Sequence, residues 1–583
     1  MTEKHGERNV ALYMALIIAA YVVIQSFTIN ANVFPADDIQ ELAFVNGMTT
    51  WTQLLGKDVF GLFRPIKNVL FGILSLFDSS DVSLFRIICV GIGVISFFPA
   101  LGFCCKVFEN ERKAIVCAAV WFLSPTLVSS VAWLSCVNIQ IMVALAIYAV
   151  SLHDDGHPVG ASLCILFACF SYESAVAIGP VIVAFDYFLR AGRFRTVRGW
   201  RIYGVYASVT LLYLLLRWFA GSASTVNGSL AGVSRGELIG ASAYFTLQHF
   251  AIWFWPFGNM AVFGGYSAGH VSLSEHVFCW CGIAALVSSA FILRRRAPRV
   301  GFGIAMALLA FLPTSNILGI GNGPYGDYYM GVASIGLSIV LMEIAAWLLS
   351  VYGRFSKFFV ALGVGVLSIR AYAVVEAGRW AYLWADGERA YKATIATFPR
   401  AYYGYIVYAQ MLCDRGDFTE ALEYCDIAEQ LIGMDEEKLR AINIVRAICA
   451  IRGEKNAPKA LDLLDKCEKG CHQVSIIRSC RFYRGCVAED LLNDIDLAKR
   501  EYEAAIPERP GISDIQAMDR LARIYAIGGD VHKAIELWKK ALRVNPGNFS
   551  VMWNLSIALH EVGDVDEAVH LQKRAKAIMN AQE

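Results

Sequence analysis

The chain has 583 residues, of which 57% are hydrophobic and 17% charged, and it carries a formal net charge of +1. That balance excludes a nucleic-acid binder, which needs a concentrated basic face. The mean hydropathy of +0.49 averages two unlike parts, predicting an all-α chain in which a polytopic membrane domain precedes a soluble helical one.

The first apolar segment, Val10 to about Thr28, is long enough to cross a bilayer, which takes roughly 20 residues. Lys4 and Arg8 precede it, but no small-residue cleavage site follows, so it reads as an uncleaved first span. Immediately beyond lies Phe34-Pro35-Ala36-Asp37-Asp38-Ile39-Gln40-Glu41. Two adjacent carboxylates at a membrane surface are either a solvated loop tip or a general base or metal ligand at the mouth of an intramembrane cavity. A divalent cation is compatible with the second reading. The rest of this first loop, 29–80, is polar and amphipathic, with Phe63-Arg64-Pro65 followed by a short apolar run at 66–77.

Further apolar runs, expected as spans, fall at about 82–104, 114–131, 137–152, 159–171, 174–189, 202–220, 271–293, 300–319, 329–350 and 358–375. The region 240–263, rich in Trp and Phe (Trp253, Phe254, Trp255, Phe257), suits an interfacial or re-entrant helix. Arg190, Arg193, Arg195, Arg198 and Arg201 share one short loop, and Arg294, Arg295, Arg296 and Arg299 another; Arg354 with Lys357 and Lys106 with Arg112 and Lys113 mark two more. By the positive-inside rule these loops face the cytoplasm. If 66–77 and 240–263 do not cross, the Asp37-Asp38 loop, Tyr172-Glu173, 221–240, Gly321 to Asp327 and the entire C-terminal part fall outside. The expected setting is therefore a multi-pass protein of a bacterial inner membrane, with its chemistry on the outer face. Glu173, with almost no loop around it, is expected to be partnered or functional. Arg64 is expected either to snorkel or to contact phosphate.

From about 400 the chain repeats. Gly529-Asp530 recurs as Gly563-Asp564, and Ala534 as Ala568, both at an offset of 34. That period predicts tetratricopeptide units, pairs of antiparallel helices that bury their apolar faces only by stacking. About five are expected, at 402–434, 437–470, 474–507, 513–546 and 547–580, the middle two degenerate. Such arrays bind peptides or partner proteins, and Tyr525, Trp538 and Trp553 are expected to be packing residues. The domain plan is thus 1–376 membrane domain, 377–400 linker helix and 401–583 repeats. Sixteen cysteines include no CxxC pair, so no zinc or redox motif emerges. Seven thiols in the C-terminal part fit poorly with an oxidising exterior.

An acidic pair after the first span, many further spans and terminal repeats together resemble the transmembrane and tetratricopeptide-repeat O-mannosyltransferases and their bacterial relatives, of the GT-C class. Asp37-Asp38-Ile39 resembles that family's Asp-Asp motif, Phe63-Arg64-Pro65-Ile66 its Tyr-Arg-Pro-Leu, and Ser171-Tyr172-Glu173-Ser174-Ala175 its Ser-Lys-Glu-(Ser/Thr)-Ala. Phe311-Leu312-Pro313-Thr314-Ser315-Asn316-Ile317 is similar to Phe-Leu-Pro-Ala-Ser-Asn-Leu, and Asp327-Tyr328-Tyr329 through Gly336 to the motif beginning Glu-Arg-Tyr. Tyr172 and Tyr328 replace a Lys and an Arg, removing two cations that would steady a leaving phosphate; Arg217 is a candidate substitute.

The resemblance implies transfer of a sugar, mannose or another hexose, from a polyprenyl-phosphate donor in the lipid to a hydroxyl of an extracytoplasmic protein, with inversion. It implies Asp37 as base with Asp38 orienting or binding metal, and Arg64, Tyr172, Glu173, Asp327 and Tyr328 lining the substrate site. Three alternatives remain at this stage: a lipid or surface-polysaccharide acceptor, a transporter or flippase, and a membrane-anchored scaffold with an inactive catalytic domain. The collection of charges on one face disfavours the transporter, which would want ionisable groups at mid-membrane.

Overall fold

The computed structural model describes residues 2–29, 38, 41, 44–45, 50–58, 61–76, 83–222, 235–255, 271–315, 317, 326–350, 356–397, 399–400, 402–433, 436–471, 473–507, 510, 514–545 and 548–582. Every regular element among them is helical. Asp37 lies outside the described residues. The chain divides into two compact units. One comprises Met1–Asn32, Leu55–Lys67 and Ser83–Pro399, the other Val33–Leu54, Asn68–Val82 and Arg400–Glu583. The expected first loop is therefore shared between the two, and Asp38 belongs to the second.

In the first unit, seven helices among the described residues are long and apolar enough to cross a membrane: Val10–Ile29, Ser83–Phe108, Leu134–Asp154, Val197–Phe219, Leu273–Leu293, Asp327–Ser350 and Lys357–Trp384. Three expected spans are interrupted. The 114–131 run bends by 57° between Glu111–Phe122 and Pro125–Ala132, because Pro125 has no N–H to continue the ladder and holds Ser124 extended. The 174–189 run opens as a 3-10 turn, Glu173–Ala177, after an extended Tyr172, and becomes α-helical only over Ile178–Leu189. The 300–319 run ends its α-helix at Phe311 and tightens to 3-10 over Leu312–Thr314, around Pro313. Pro65–Leu74 has ten residues, about 15 Å of helix against a hydrocarbon core of about 30 Å. The last apolar run is the centre of one helix, Ser356–Trp384, which carries on through the start of the expected linker before Gly387–Thr397 begins.

Two of these helices touch backbone to backbone. A Cβ added at Gly303 would lie 2.6 Å from the Gly336 carbonyl oxygen, and one at Gly336 would lie 2.5 Å from that of Gly303. Small residues permit such an approach between apolar helices, where packing rather than water drives association. Gly336→Val should therefore force Pro298–Phe311 and Met330–Ser350 apart and cost about 1–3 kcal/mol. Thermal unfolding of the solubilised variant reads this.

Among the described residues, the repeat part of the second unit contains five helix pairs: Tyr402–Arg415 with Phe418–Ile432, Glu436–Ile448 with Ala457–Glu468, Val474–Asp490 with Ile495–Ala505, Ile515–Ile527 with Val531–Val544, and Phe549–Glu561 with Val565–Gln582. Each second helix opens on Asp or Asn, four residues ahead of an alanine whose N–H bonds back to it: Asp417 and Ala421, Asn456 and Ala460, Asp494 and Ala498, Asp530 and Ala534, Asp564 and Ala568. All five alanines are at most 1% exposed, since only a methyl fits where the two helices of a pair cross. The middle units keep this register although they lack the Gly-Asp turn. Trp538 packs as expected and donates to Asp519 at 2.7 Å. Trp553 is less enclosed, at 40% exposure. All seven thiols of this part are buried.

Candidate functional site

The loop before Pro65 is built to present charge inward. Asp58 donates its backbone N–H to the Leu62 carbonyl at 2.7 Å and accepts the Leu62 N–H on its side-chain Oδ1 at 2.8 Å, around Gly61 in the left-handed region at φ 77. Glycine takes that conformation without steric cost. The turn places Asp58, Arg64 and Lys67 together, at 3%, 5% and 1% exposure.

Arg64 meets Glu173 through both arms of its guanidinium, Nε to Oε2 at 2.8 Å and Nη2 to Oε1 at 2.6 Å. Its third nitrogen, Nη1, stands 3.9 Å from Asp58, whose Oδ2 takes a 2.6 Å bond from Lys67. The guanidinium also lies over the Tyr172 ring, 4.5 Å from its centroid, a cation–π contact. Two motifs 109 positions apart in sequence thus join side chain to side chain. The Glu173 carboxylate thus fills the planar fork of Arg64. Glu173 is partnered, as its near-loopless position implied. Arg217 bears electrostatically on the same carboxylate.

Tyr172 and Tyr328 are packed aromatics at 4% and 5% exposure. Tyr328 meets Trp133 edge-on at 5.6 Å and Tyr329 at 4.5 Å. Asp327 opens this segment and is 1% exposed. Asp38 is fully buried in the other unit, as is Glu41, so the solvated-loop-tip reading fails for Asp38.

Burial alone would push the Asp58 carboxyl up. The charges of Lys67 and Arg64, with hydrogen bonds from Lys67 and Leu62, outweigh that and hold it below its ordinary value. A carboxylate depressed on folding stabilises the chain above its unfolded value, about 4, and that contribution disappears as pH falls through the lower folded value. Melting temperature should accordingly drop on acidification below about pH 4, and Asp58→Asn should flatten this slope.

Sequence reasoning missed Asp58, Lys67 and His249. Lys67 was absorbed into an apolar run, and its charge inside that run was the available signal. His249, 2% exposed, donates from Nδ1 to the Phe245 carbonyl at 2.8 Å and accepts from Gly326 N–H at 3.2 Å. It pins the start of the Asp327 segment. A lone histidine in an aromatic helix gives no sign of that. No group of His, Cys, Asp or Glu able to hold a metal ion occurs among the described residues.

The class defined by this architecture is a helical chain with candidate membrane spans and a terminal α-solenoid. The solenoid is a tetratricopeptide array: residues 383–433 and 520–581 match the tetratricopeptide repeat family. No curated protein matches the chain. Among solved structures it is similar to the MamA RS-1 ArsTM double mutant (21% identity over 31% of this chain and 96% of that one, TM-score 0.23). It is also similar to YrrB, a TPR protein with an unusual peptide-binding site (17% identity, 33% and 93%, TM-score 0.21), and to yeast Tom70 (12% identity, 82% and 92%, TM-score 0.27). Superpositions this loose carry no argument about function.

Proposed function

We propose that the chain is an integral-membrane glycosyltransferase that moves a hexose from a polyprenyl-phosphate donor to a protein hydroxyl presented outside the cytoplasm. In this reading one carboxylate of the Asp37/Asp38 pair takes the acceptor proton. The freed oxygen lone pair forms a bond to the anomeric carbon from the face opposite the phosphate, the bond from that carbon to the phosphate oxygen breaks with its electrons, and the configuration inverts. In this reading Arg64 and Arg217 offset the charge that the leaving phosphate gains. Glu173 fixes the guanidinium plane, and Tyr172 supports it from beneath. The repeats recruit or present the acceptor.

The observation that carries the proposal is the Arg64–Glu173 pair. Two short segments picked out by their resemblance to one enzyme family, far apart in sequence, meet through a buried bidentate contact. A polyprenyl phosphate carrying a photoreactive group near the phosphate tests it. The expected result is labelling of peptides from 50–76 and 166–178, suppressed by excess unlabelled polyprenyl phosphate. Label confined to other regions would oppose the proposal.

A second reading, a membrane-anchored repeat scaffold without catalysis, is favoured by one observation. The charges of Arg64, Glu173, Asp58 and Lys67 already satisfy one another, as they would in a structural lock.

A further inference from the structure

The Ile178–Leu189, Val197–Phe219, Leu273–Leu293 and Pro298–Phe311 helices leave a groove of about 1050 Å³ between them. It is at the upper end of the range for small-ligand pockets, roughly 300–1,000 Å³, and its walls are almost wholly aliphatic and aromatic. Part of its width comes from glycine. A Cβ built at Gly179 or Gly204 meets nothing within 4 Å, so the space is open rather than packed.

One end of the groove is finished differently. Tyr187, Phe194, Trp200 and Tyr203 line it there, in an unbroken chain of ring contacts at 5.1–5.6 Å from Tyr187 to Phe194 to Trp200 to Tyr203. Such amphipathic rings mark the headgroup level of a bilayer. The two arginine loops converge on this end, since Arg294 bonds the Tyr187 hydroxyl at 2.9 Å and lies 3.6 Å over its ring. Arg190 and Arg193 are committed to Asp154 and Asp186. Arg195, Arg198, Arg201, Arg295 and Arg296 are exposed, and none has an ion-pair partner among the described residues. Orientation in the membrane accounts for basic loops; it does not account for a deep apolar slot ending between them.

We infer that this groove is a binding site for an anionic phospholipid, with an acyl chain between the helices and the phosphate held by the unpaired arginines. Charge complementarity selects the headgroup, and the apolar walls select the tail. The site is independent of the sugar-transfer proposal but rests on the membrane reading of the apolar helices.

The test uses the delipidated full chain in detergent. Native mass spectrometry and thermal unfolding are followed on adding phosphatidylglycerol, or phosphatidylcholine with the same acyl chains. Phosphatidylglycerol should give discrete adducts and raise the melting temperature, and phosphatidylcholine should do much less. Arg195/Arg198/Arg201→Gln should cut phosphatidylglycerol occupancy about ten-fold or more. Gly204→Phe, which keeps every arginine and fills the slot, should reduce it as well. Equal binding of both lipids, occupancy unchanged in both variants, or displacement of phosphatidylglycerol by polyprenyl phosphate would each overturn the inference. A chain that stays dispersed without detergent and binds neither lipid would instead overturn the membrane reading.

Discussion

Arg64→Ala should destabilise the first unit by about 3–5 kcal/mol, the range for breaking a buried ion pair by removing one partner. The cause is less the loss of attraction than the carboxylate left behind. Glu173 is 2% exposed, and without the guanidinium its charge keeps the desolvation penalty with much less offset. Arg64→Lys should restore only part of the loss, because an ammonium cannot form the two parallel bonds. The double variant Arg64→Met/Glu173→Leu removes both charges and should regain most of the stability. A double-mutant cycle by thermal or denaturant unfolding measures the coupling. If Arg64→Ala and the double variant unfold alike, the pair is not an electrostatic unit.

Asp38→Asn, or Asp37→Asn, should reduce sugar transfer by about 10²–10⁴-fold, the usual contribution of a positioned general base. Asparagine keeps the size of the side chain and loses the ability to take a proton. It therefore separates catalysis from packing at Asp38, which is wholly buried. Melting temperatures near wild type with transfer lost identify the base. Unchanged transfer in both variants moves the base elsewhere, with Glu173 the next carboxylate to replace.

The sequence carried some features of this molecule far better than others. The repeat array was legible because stacking imposes a period, and Asp530/Ala534 and Asp564/Ala568 display it openly. Units two and three hid their register, since Asn456 and Asp494 cap the second helices without a Gly-Asp turn. The buried alanines Ala460 and Ala498 were the signal that survived. In the apolar first unit, hydropathy located apolar runs but not their breaks. Hydropathy averages over a window, whereas Pro125 and Pro313 act on single backbone bonds. Glu173 was recognisable as a carboxylate needing a partner. That the partner was Arg64 was not, because nothing local links positions 109 apart. Trp553 was misjudged for the converse reason: an aromatic at helical spacing is usually interior, and this one is 40% exposed.

The most direct measurement is transfer of radiolabelled hexose from polyprenyl phosphate to a periplasmic protein extract by the purified full-length chain in lipid nanodiscs. The account predicts label on protein, dependent on the chain and lost in Asp37→Asn or Asp38→Asn. A folded chain that transfers no label from any donor of a broad panel, to protein or to lipid, would contradict it and leave the scaffold in its place.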